Sequence, residues 1–591
     1  MKEKIVRIIE SAIKEKGVEV MIPDRENFGH YSTNLAMKLA KLEKKNPMDS
    51  ARELAGKISA RVPKGVFLKI EAVTPGFINF WLSKEFLQKE LTRISESKSF
   101  GKTNLGKGKK VIFEYSDPNI AKRMHVGHLR ATIIGDALSN IYEFLGYKVV
   151  RWNYIGDWGT QFGKMIAAYK LWGSKAAVQR NPIEELQKLY VKFHEETGKN
   201  PELEKKGQEE FKRLENGDKT NKKLWEWFRR ESLREFDKIY KILGVKFDVT
   251  IGEAFYEKEL KKLVADLKKK KIAKESEGSL IIDLKKFGLP PALIQKSDGA
   301  SLYMTRDIAN IKYRLAEYKP VKMFYVVGNE QSLHFEQLFK VAEILGLDKS
   351  ELKHLKFGLV LDEDGKKFAT REGRVVLLDD LINKAVRLSR EVVEEKSRRS
   401  GERPEVRDSN RRGSGASEKE KDKIAHAVGI GALKYNDLKE NRHSDVKFNW
   451  GQMLNISGNS GPYLQYTYAR MQNILAKSSK FQTLSSKKIP SSKKRKTNFD
   501  LLVKKEELDL IRKVLQFPDA LIDAHDSLLT SGFSNYLYEL CNLANRFYET
   551  APVIKEPDLA RRGARVSLIQ TTNRVIKAGL GLLGIKALDN I

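Results

Sequence analysis

The segment between positions 111 and 154 constrains the fold of this chain more than any other. Its pattern predicts a strand over Val111–Tyr115, a loop over Ser116–Met124, a helix over about Gly127–Leu145 and a second strand over Lys148–Tyr154. Apolar residues recur at helical spacing in the third of these stretches, and a glycine follows it, as at many helix C-termini. A strand–helix–strand unit of this length implies a parallel sheet, so we predict a doubly wound α/β core.

Later segments predict the rest of the same core. We expect a strand over Met323–Val327, a helix over Ser332–Leu345, and further strands over Lys356–Leu361 and Val375–Leu378. Between the two halves, residues from about 165 to 295 show long, charged helical patterns. They predict an insertion that splits the sheet.

The remaining segments predict a multidomain α/β protein. A helical pattern and two strands around a Pro-Gly turn predict a small α/β domain over residues 1–100, ahead of the split core at 101–395. The polar stretch 396–423 is typical of a flexible linker. Helical patterns with few strand signals predict an all-α domain over 424–591.

Composition narrows the class of protein. Lys and Arg total 110 against 78 Asp and Glu, a formal net charge of +32. Such an excess indicates a polyanionic partner such as nucleic acid, although a lysine-rich, soluble protein is the alternative that composition alone leaves open. There is no apolar run long enough to span a membrane and no secretory signal, and the single Cys541 excludes an intrachain disulfide. We therefore expect a cytoplasmic protein.

Two histidines flank a glycine where the predicted loop enters the helix: His125, Gly127 and His128. Open α/β sheets bind ligands at this position, and a helix N-terminus with two imidazole donors suits phosphate oxygens. The glycine admits a flat base close to the backbone. A metal site is the weaker interpretation because no third ligand is evident, so we predict none, and two purely capping histidines are the other alternative.

A second basic motif lies in a glycine-flanked loop after a predicted strand, and it contains Lys366, Lys367 and Phe368. A mobile cationic loop can close on a pyrophosphate leaving group and stabilise the transition state. Taken alone, it is a solvated run of charge. Together with the histidine motif, it indicates a site that activates a nucleotide.

These motifs resemble those of a known family. His125–His128 resembles the HIGH signature of class I aminoacyl-tRNA synthetases, and Lys367–Thr370 resembles their KMSK signature. Glu114–Arg130 and Gly156–Gly163 are similar to the arginyl-tRNA synthetases in particular, and the resemblance runs along nearly the whole chain. It implies a Rossmann-type catalytic core, an N-terminal additional domain and a helical anticodon-binding domain.

The same resemblance implies the substrates. They are L-arginine, tRNA(Arg) and ATP, with Mg²⁺ arriving on the ATP. The resemblance further implies that the cognate tRNA is needed for the activation step, which nothing in the composition shows.

The resemblance also implies an arginine pocket. A guanidinium is best held by carboxylates, and two of the matching residues, Tyr303 and Asp307, are four apart and share a face if helical. Tyr303 would then pack on the guanidinium plane while Asp307 pairs with it. Each residue taken singly also fits an ordinary core or surface role. The positions that match the family's pocket are Glu114, Asn119, Glu253, Tyr303, Asp307 and Gln331.

The KMSK-like loop departs from the family signature at three positions. It has Phe368, Ala369 and Thr370 where the signature has Met, Ser and Lys, so its second lysine is missing. Family members that lack this lysine tend to carry a basic residue just before the HIGH-like motif, where Lys122 stands here. We assign catalysis to His125, His128, Lys122 and Lys367, and ATP binding to these four with Gly127, Lys366 and Phe368.

Tyr463 and Tyr466 are the candidates for contact with the anticodon. They are three apart on a predicted helix, and aromatic rings beside basic residues suit stacking with unpaired bases. A stripe of core residues is the alternative. Length and domain content favour a monomer.

Two other functions fit part of this pattern. A non-catalytic tRNA-binding relative would keep the scaffold, and a class I synthetase for glutamine or cysteine would keep the phosphate motifs. ATP–pyrophosphate exchange with arginine and tRNA separates the first from an enzyme. The acidic residues at the expected pocket positions favour a cationic amino acid as substrate. They therefore argue against a synthetase for glutamine or cysteine.

The basic run Lys493, Lys494, Arg495 and Lys496 generates a testable prediction about the net charge. Neutralising all four side chains should weaken tRNA binding modestly and lessen its salt dependence, because phosphate contacts release counterions. Affinities for arginine and ATP should hardly change. An unchanged slope of binding against salt would show that this charge serves only solubility.

Overall fold

A computed structural model describes residues 1–23, 25–97, 99–296, 303–362, 364–366, 376–401, 417–485 and 497–591. Lys367, Phe368 and the basic run at 493–496 therefore lie outside the described residues. Across the described ranges, no helix has the length and apolarity that crossing a membrane requires.

The N-terminal region packs helices on a small antiparallel sheet of order β1–β3–β2. Ile5 and Ile9 of its first helix and Phe80 of the central strand are fully buried. This matches the small α/β fold expected near the N-terminus. Its elements are α1 (Lys2–Ile13), β1 (Tyr31–Thr33), α2 (Leu35–Glu43), α3 (Pro47–Arg61), β2 (Phe67–Val73), β3 (Phe77–Leu82) and α4 (Lys84–Ser95).

The central region alternates strands and helices. Its first part consists of β4 (Lys110–Glu114), α5 (Val126–Phe144), β5 (Lys148–Ile155), α6 (Thr160–Trp172), α7 (Lys175–Arg180), α8 (Pro182–Lys199), α9 (Glu202–Glu215), α10 (Lys219–Leu243), β6 (Val249–Gly252) and α11 (Glu257–Lys269). Its second part consists of β7 (Lys274–Ser276), β8 (Ser279–Ile282), β9 (Ala292–Gln295), α12 (Tyr303–Glu317), β10 (Lys322–Tyr325), α13 (Ser332–Ile344), β11 (Glu351–His354), β12 (Val360–Leu361) and α14 (Leu378–Gly401).

Within the described residues, β11, β10, β4, β5 and β6 form a parallel sheet in that order. Its central strand explains why the sequence there is a continuous apolar run. Val111 and Phe113 pack into one hydrophobic cluster and Ile112 into another, and all three are fully buried. Both faces of the sheet are therefore covered, as parallel sheets require.

Among the residues that the structure describes, the C-terminal region is helical apart from one short strand, which pairs in parallel with β12. The predicted fold class, a split parallel core followed by a helical domain, is confirmed. The elements are α15 (Glu418–Leu438), β13 (Val446–Lys447), α16 (Trp450–Met453), α17 (Gly461–Ser485), α18 (Lys505–Leu515), α19 (Phe517–Ser527), α20 (Ser531–Thr550) and α21 (Leu559–Leu582).

Three sequence predictions differ from the structure. The strand expected over Lys356–Leu361 is wrong. The edge strand of the parallel sheet is β11, which ends at His354, and the short strand β12 is the part of the expected range that forms a strand. The strand expected over Val375–Leu378 is also wrong, because α14 begins at Leu378. The insertion is not purely helical: β6 joins the main sheet and β7, β8 and β9 form a separate antiparallel sheet. These strands have three or four residues each, too few to show a period.

Two glycines bring helices α6 and α9 into close contact, which generates a prediction about stability. A Cβ atom on Gly163 would lie 2.1 Å from the carbonyl oxygen of Gly207. Gly163→Ala should therefore destabilise the protein by about 1–3 kcal/mol, because the backbones must separate. Urea unfolding followed by circular dichroism measures this.

The matched control is Gly198→Ala in α8, where an added Cβ meets no atom within 4 Å. It should be neutral or stabilising by up to about 1 kcal/mol, since alanine is the better helix former. Equal stability of the two variants would contradict the close packing.

Candidate active site at the carboxyl ends of the parallel strands

The loop between β4 and α5 crosses the carboxyl edge of the sheet in a constrained conformation. Ser116, Asp117 and Ala121 have φ values of 81°, 48° and 61°, in the left-handed region that non-glycine residues rarely adopt. Neighbouring elements hold these residues: Asp117 Oδ1 accepts a hydrogen bond from the Tyr154 amide at 2.7 Å, and the Ala121 amide donates to Ser232 Oγ at 2.9 Å. Such strain is typical of functional loops.

His125 and His128 lie against each other at the N-terminus of α5, with ring centroids 4.0 Å apart. His125 Nδ1 accepts a hydrogen bond from the Gly127 amide at 3.1 Å, and the His125 amide donates to His128 Nδ1 at 3.0 Å. Because Nδ1 is the acceptor in both rings, the proton of each neutral imidazole is on Nε2. Both rings can thus present an N–H donor.

His128 does not supply positive charge at neutral pH. Burial, together with the neighbouring His125, lowers the pKa of His128 to about 3. Positive potential at this place therefore comes from the helix N-terminus and from lysines. A side chain at Gly127 would crowd the His125 ring, since its Cβ would lie 3.0 Å from Cε1.

The segment that follows the second basic motif lies beside the histidine loop. The Leu378 amide donates to the Met124 carbonyl oxygen at 2.9 Å, and the Val126 amide donates to that of Val376 at 3.3 Å. On the other flank, the Lys366 amide donates to Asp362 Oδ1 at 2.8 Å. Lys367 and Phe368 fall outside the described residues, which resume at Val376, and the chain from there to Leu378 bonds to the histidine loop.

Lys122 is an exposed cation in the same loop. Its Nζ lies 5.3 Å from the centroid of the Tyr190 ring in α8. The helical insertion therefore supports this side chain by a cation–π contact, which is worth about 0.5–1 kcal/mol at exposed sites.

Carboxyl groups converge beside this loop at the ends of β4 and β6 and on α12. Glu114 and Glu253 are 4% and 7% exposed, and Asp307 is half-buried. Burial raises the pKa of both glutamates, against the opposing charges of Arg314 and Arg306, and the charge of Asp307 raises it further. Through those two arginines both glutamates contact α12, the helix that carries Asp307. The structure thus brings together three of the six residues expected to bind arginine.

Two arginines of α12 partly neutralise this pocket, and the sequence pattern alone did not identify them. Arg314 is fully buried and donates to Glu114, while Arg306 Nη1 lies 3.7 Å from Glu253 Oε2. The sequence signal that could have identified them is that both arginines fall on the otherwise apolar face of α12. Buried arginines of this kind hold buried carboxylates in place.

One carboxyl oxygen of Glu253 lacks a hydrogen-bond donor. Its Oε2 atom is buried and accepts no hydrogen bond from the described residues. Burial raises the pKa of Glu253 to about 8, against the opposing charge of Arg306 and with the help of Asp307. A cation entering the pocket would restore the ionised form, so this carboxyl is suited to a positively charged ligand.

Asp307 and His334 form a second pair at 2.6 Å between Oδ2 and Nε2. Burial lowers the pKa of His334, but the hydrogen bond and the charge of Asp307 outweigh it, and the net shift is upward. An ordinary core imidazole was the sequence-based alternative for His334. Its contact with Asp307 instead fixes the orientation of a pocket carboxylate.

The other three residues expected to bind arginine lie on the same edge of the sheet. Asn119 is exposed in the histidine loop, and its Oδ1 lies so close to Gly156 that a Cβ there would be 2.0 Å away. Tyr303, the first residue of α12, is 61% exposed, and Gln331 is exposed in the turn after β10. These three side chains are therefore exposed, whereas Glu114 and Glu253 are buried.

The two tyrosines expected to contact RNA lie in α17, in the helical region. Tyr463 is 9% exposed, and its hydroxyl donates to Asn542 Oδ1 at 2.7 Å and accepts from Asn545 Nδ2 at 3.0 Å. Its ring packs against α20. Tyr466 is half-buried, so it is the more accessible of the two for base stacking.

In the described part of the chain, no group of three or more His, Cys, Asp and Glu side chains is placed to hold a metal ion. The acidic groups above are instead paired with arginines or a histidine. What the arrangement offers is a helix N-terminus with imidazole donors next to a pocket for a cation.

Three family descriptions match the chain. Residues 90–450 match "tRNA synthetases class I (R), catalytic domain", residues 464–591 match "DALR anticodon binding domain", and residues 1–82 match "Arginyl tRNA synthetase N terminal domain". Together they cover the N-terminal, central and helical regions.

Curated relatives match over nearly their full length. The arginine–tRNA ligases of Halothermothrix orenii and Clostridium perfringens are each 40% identical to this chain, over 594 and 580 residues. The matches cover 99% and 98% of this chain, and 98% and 96% of the relatives.

Solved structures show the same fold. The arginyl-tRNA synthetase of Plasmodium falciparum has a TM-score of 0.79 at 27% identity, and the match covers 100% of this chain and 99% of that one. That of Thermus thermophilus has a TM-score of 0.78 at 24% identity, covers both chains completely, and at this identity supports the fold alone.

The opposite pKa shifts of His128 and His334 generate a prediction. Histidine NMR over pH 5 to 8 should show a neutral His128 throughout and a His334 that titrates above 6.5. The Asp307–His334 pair therefore contributes stability below pH 6.5, and that contribution is lost as pH rises through the folded pKa.

Asp307→Asn removes the opposing charge, so burial should then lower the pKa of His334 below 6.5. The control is Glu317→Gln, an exposed carboxyl at the end of the same helix, which should leave His334 unchanged. A His334 pKa that is the same in Asp307→Asn and wild type would contradict the pairing.

Proposed function

Because the chain belongs to the class I arginyl-tRNA synthetase family, we propose that the crevice at the carboxyl ends of β4, β6 and β10 is where arginine and ATP react. The chain is an arginine–tRNA ligase with a class I catalytic domain and an anticodon-binding domain. The observation that carries the proposed site is that the acidic residues Glu253 and Asp307 and the His125–His128 pair lie at the same edge of the parallel sheet.

The reaction proceeds in two steps under this proposal. An arginine carboxylate oxygen attacks the α-phosphorus of ATP, a P–O bond to arginine forms, and the bond to the β-phosphate breaks to release pyrophosphate. The terminal ribose hydroxyl of tRNA(Arg) then attacks the activated carbonyl carbon, loses its proton, and AMP leaves. No side-chain nucleophile takes part, so catalysis rests on orientation and charge stabilisation.

The phosphate side of the crevice is assigned to the loop before α5. The Nε2–H groups of His125 and His128 would donate to phosphate oxygens, and Gly127 would leave room for the adenine. Lys122, Lys366, Lys367 and Phe368 complete the proposed ATP site, with Lys122 replacing the lysine that the KMSK-like loop lacks. Mg²⁺ would arrive on the ATP phosphates, whose oxygens are the ligands it prefers.

The arginine side is assigned to the acidic pocket. Glu253 and Asp307 would face the guanidinium, whose five donors can engage several carboxylate oxygens at once. Tyr303 would cover the guanidinium plane, and Asn119 and Gln331 would hold the α-amino and carboxylate end. Glu114 is already paired with Arg314, so its proposed role is to anchor α12, which carries Tyr303 and Asp307, to the end of β4.

The anticodon contact is assigned to α17. Tyr466 is the accessible ring, and Tyr463 would support it from the buried side by packing against α20. We also propose domain boundaries at residues 100, 396 and 423. The protein is expected in the cytoplasm, which subcellular fractionation tests, and as a monomer, which light scattering tests.

Asp307→Asn tests the arginine pocket. The KM for arginine should rise by about tenfold or more in aminoacylation, because a hydrogen bond between charged groups contributes about 1.5–3 kcal/mol. The KM for ATP should change by less than about twofold. Unchanged arginine charging by this variant would remove Asp307 from the pocket.

Lys122→Ala tests the phosphate side independently. ATP–pyrophosphate exchange with arginine and tRNA present should slow by about tenfold or more, since a cation that stabilises the transition state is removed. Lys192→Ala is the matched control, because Lys192 also lies over an aromatic ring, that of Trp172, but stands outside the loop. Equal exchange rates in both variants would contradict the role of Lys122.

A further inference from the structure

A basic groove of about 550 Å³ lies where the catalytic and helical regions meet. Its walls are the end of α10, the first turns of α15 and the segment that follows α21. The polar side chains that line it are mostly basic: Lys241, Lys419, Lys423, His426 and Lys586. We call these five residues the junction groove.

The positive charge of the junction groove is not neutralised by acidic residues of its own lining. Asp422 is its one acidic lining residue among those the structure describes, and that carboxylate is held by Arg390 at 2.5 Å. Lys241 Nζ lies 3.4 Å from Asp237 in an exposed pair. The other three lysines are exposed and form no ion pair with the described residues: Lys419, Lys423 and Lys586.

A rigid frame positions these lysines. Lys419 and Lys423 are one helical turn apart on α15 and therefore share a face. Gln465 Nε2 donates to the Lys586 carbonyl oxygen at 2.9 Å and to that of Ala427 at 3.1 Å. Lys434 Nζ donates to the Gly584 carbonyl oxygen at 2.8 Å, so the backbone that carries Lys586 is fixed to α15 on both sides.

The place of the groove in the fold indicates its occupant. α15 and the segment after α21 belong to the helical region, which carries the proposed anticodon contact, and the end of α10 belongs to the catalytic region. The groove therefore borders both regions that a tRNA substrate has to reach. The floor is apolar, with Ile430 buried, which suits sugar rings beneath charged phosphates.

We propose that the junction groove binds the phosphate backbone of the tRNA substrate where the catalytic and helical regions meet. This inference rests on the proposed function and adds a surface that holds the RNA outside the two proposed contact sites. Lysines bind phosphates without reading bases. The groove therefore contributes affinity and position, and sequence is read elsewhere.

The test replaces Lys419, Lys423 and Lys586 by glutamine together and measures aminoacylation of a transcribed tRNA(Arg) over a range of salt. The tRNA KM should rise by about tenfold or more at low salt, and the slope of log affinity against log salt should fall by about 0.7–0.9 for each phosphate that the protein no longer neutralises. The KM values for arginine and ATP at saturating tRNA should stay within about twofold.

Two further triple variants separate charge from structure. The same three positions changed to arginine keep the charge and should retain tRNA affinity and salt slope. Glutamine at Lys258, Lys261 and Lys262, exposed on α11, removes the same total charge from the surface and should have the smaller effect. Thermal unfolding of each variant shows whether a reduction in binding reflects unfolding.

A glutamine triple with the wild-type tRNA KM and salt slope would overturn the proposal for the groove, while charging of tRNA by that variant would leave the proposed function standing. Equal reductions in tRNA affinity in the α11 triple would also overturn it, since the effect would then follow net charge alone. Wild-type protein that fails to charge tRNA with arginine would refute the proposed function itself.

Discussion

The buried ion pair between Arg130 and Asp437 holds the catalytic and helical regions together. Its Nε and Oδ2 atoms are 2.8 Å apart, and both side chains are at most 5% exposed. Arg130 Nη1 also donates to the Gly358 carbonyl oxygen at 2.7 Å. Removing one member of such a pair costs about 3–5 kcal/mol, because the other charge stays buried without a partner. The two regions are thus committed to one relative position.

Helix α5 transmits that constraint to the site. It begins at the histidine pair, carries Arg130 one turn later, and continues into further contacts with the helical region, where Asp136 lies 4.0 Å from Lys434 and Tyr142 donates to the His525 carbonyl oxygen at 3.3 Å. A helix held at several turns cannot shift at one end alone. The geometry of His125 and His128 therefore depends on packing against the helical region.

The parts of this fold that the sequence predicts are those with a local period. The strand, loop and helix around His125 show such a period, so the phosphate side of the proposed site can be predicted together with them. The strand β11 has only the residues Glu351–His354 and lies at the sheet edge, so its alternation is too short to recognise. The pairing of Glu114 with Arg314 joins residues far apart in the chain, and no local pattern encodes it.

The electrostatics of the molecule place two opposite requirements on one chain. A net charge of +32 attracts a polyanion over a distance, but it also disfavours a cationic amino acid. The two requirements are compatible because surface charges and pocket carboxyls act over different distances. Salt screens surface charges beyond about 8–10 Å, whereas carboxyls in a buried pocket act at contact and are screened much less. The proposed arginine pocket of Glu253 and Asp307 is therefore compatible with an exterior that favours nucleic acid.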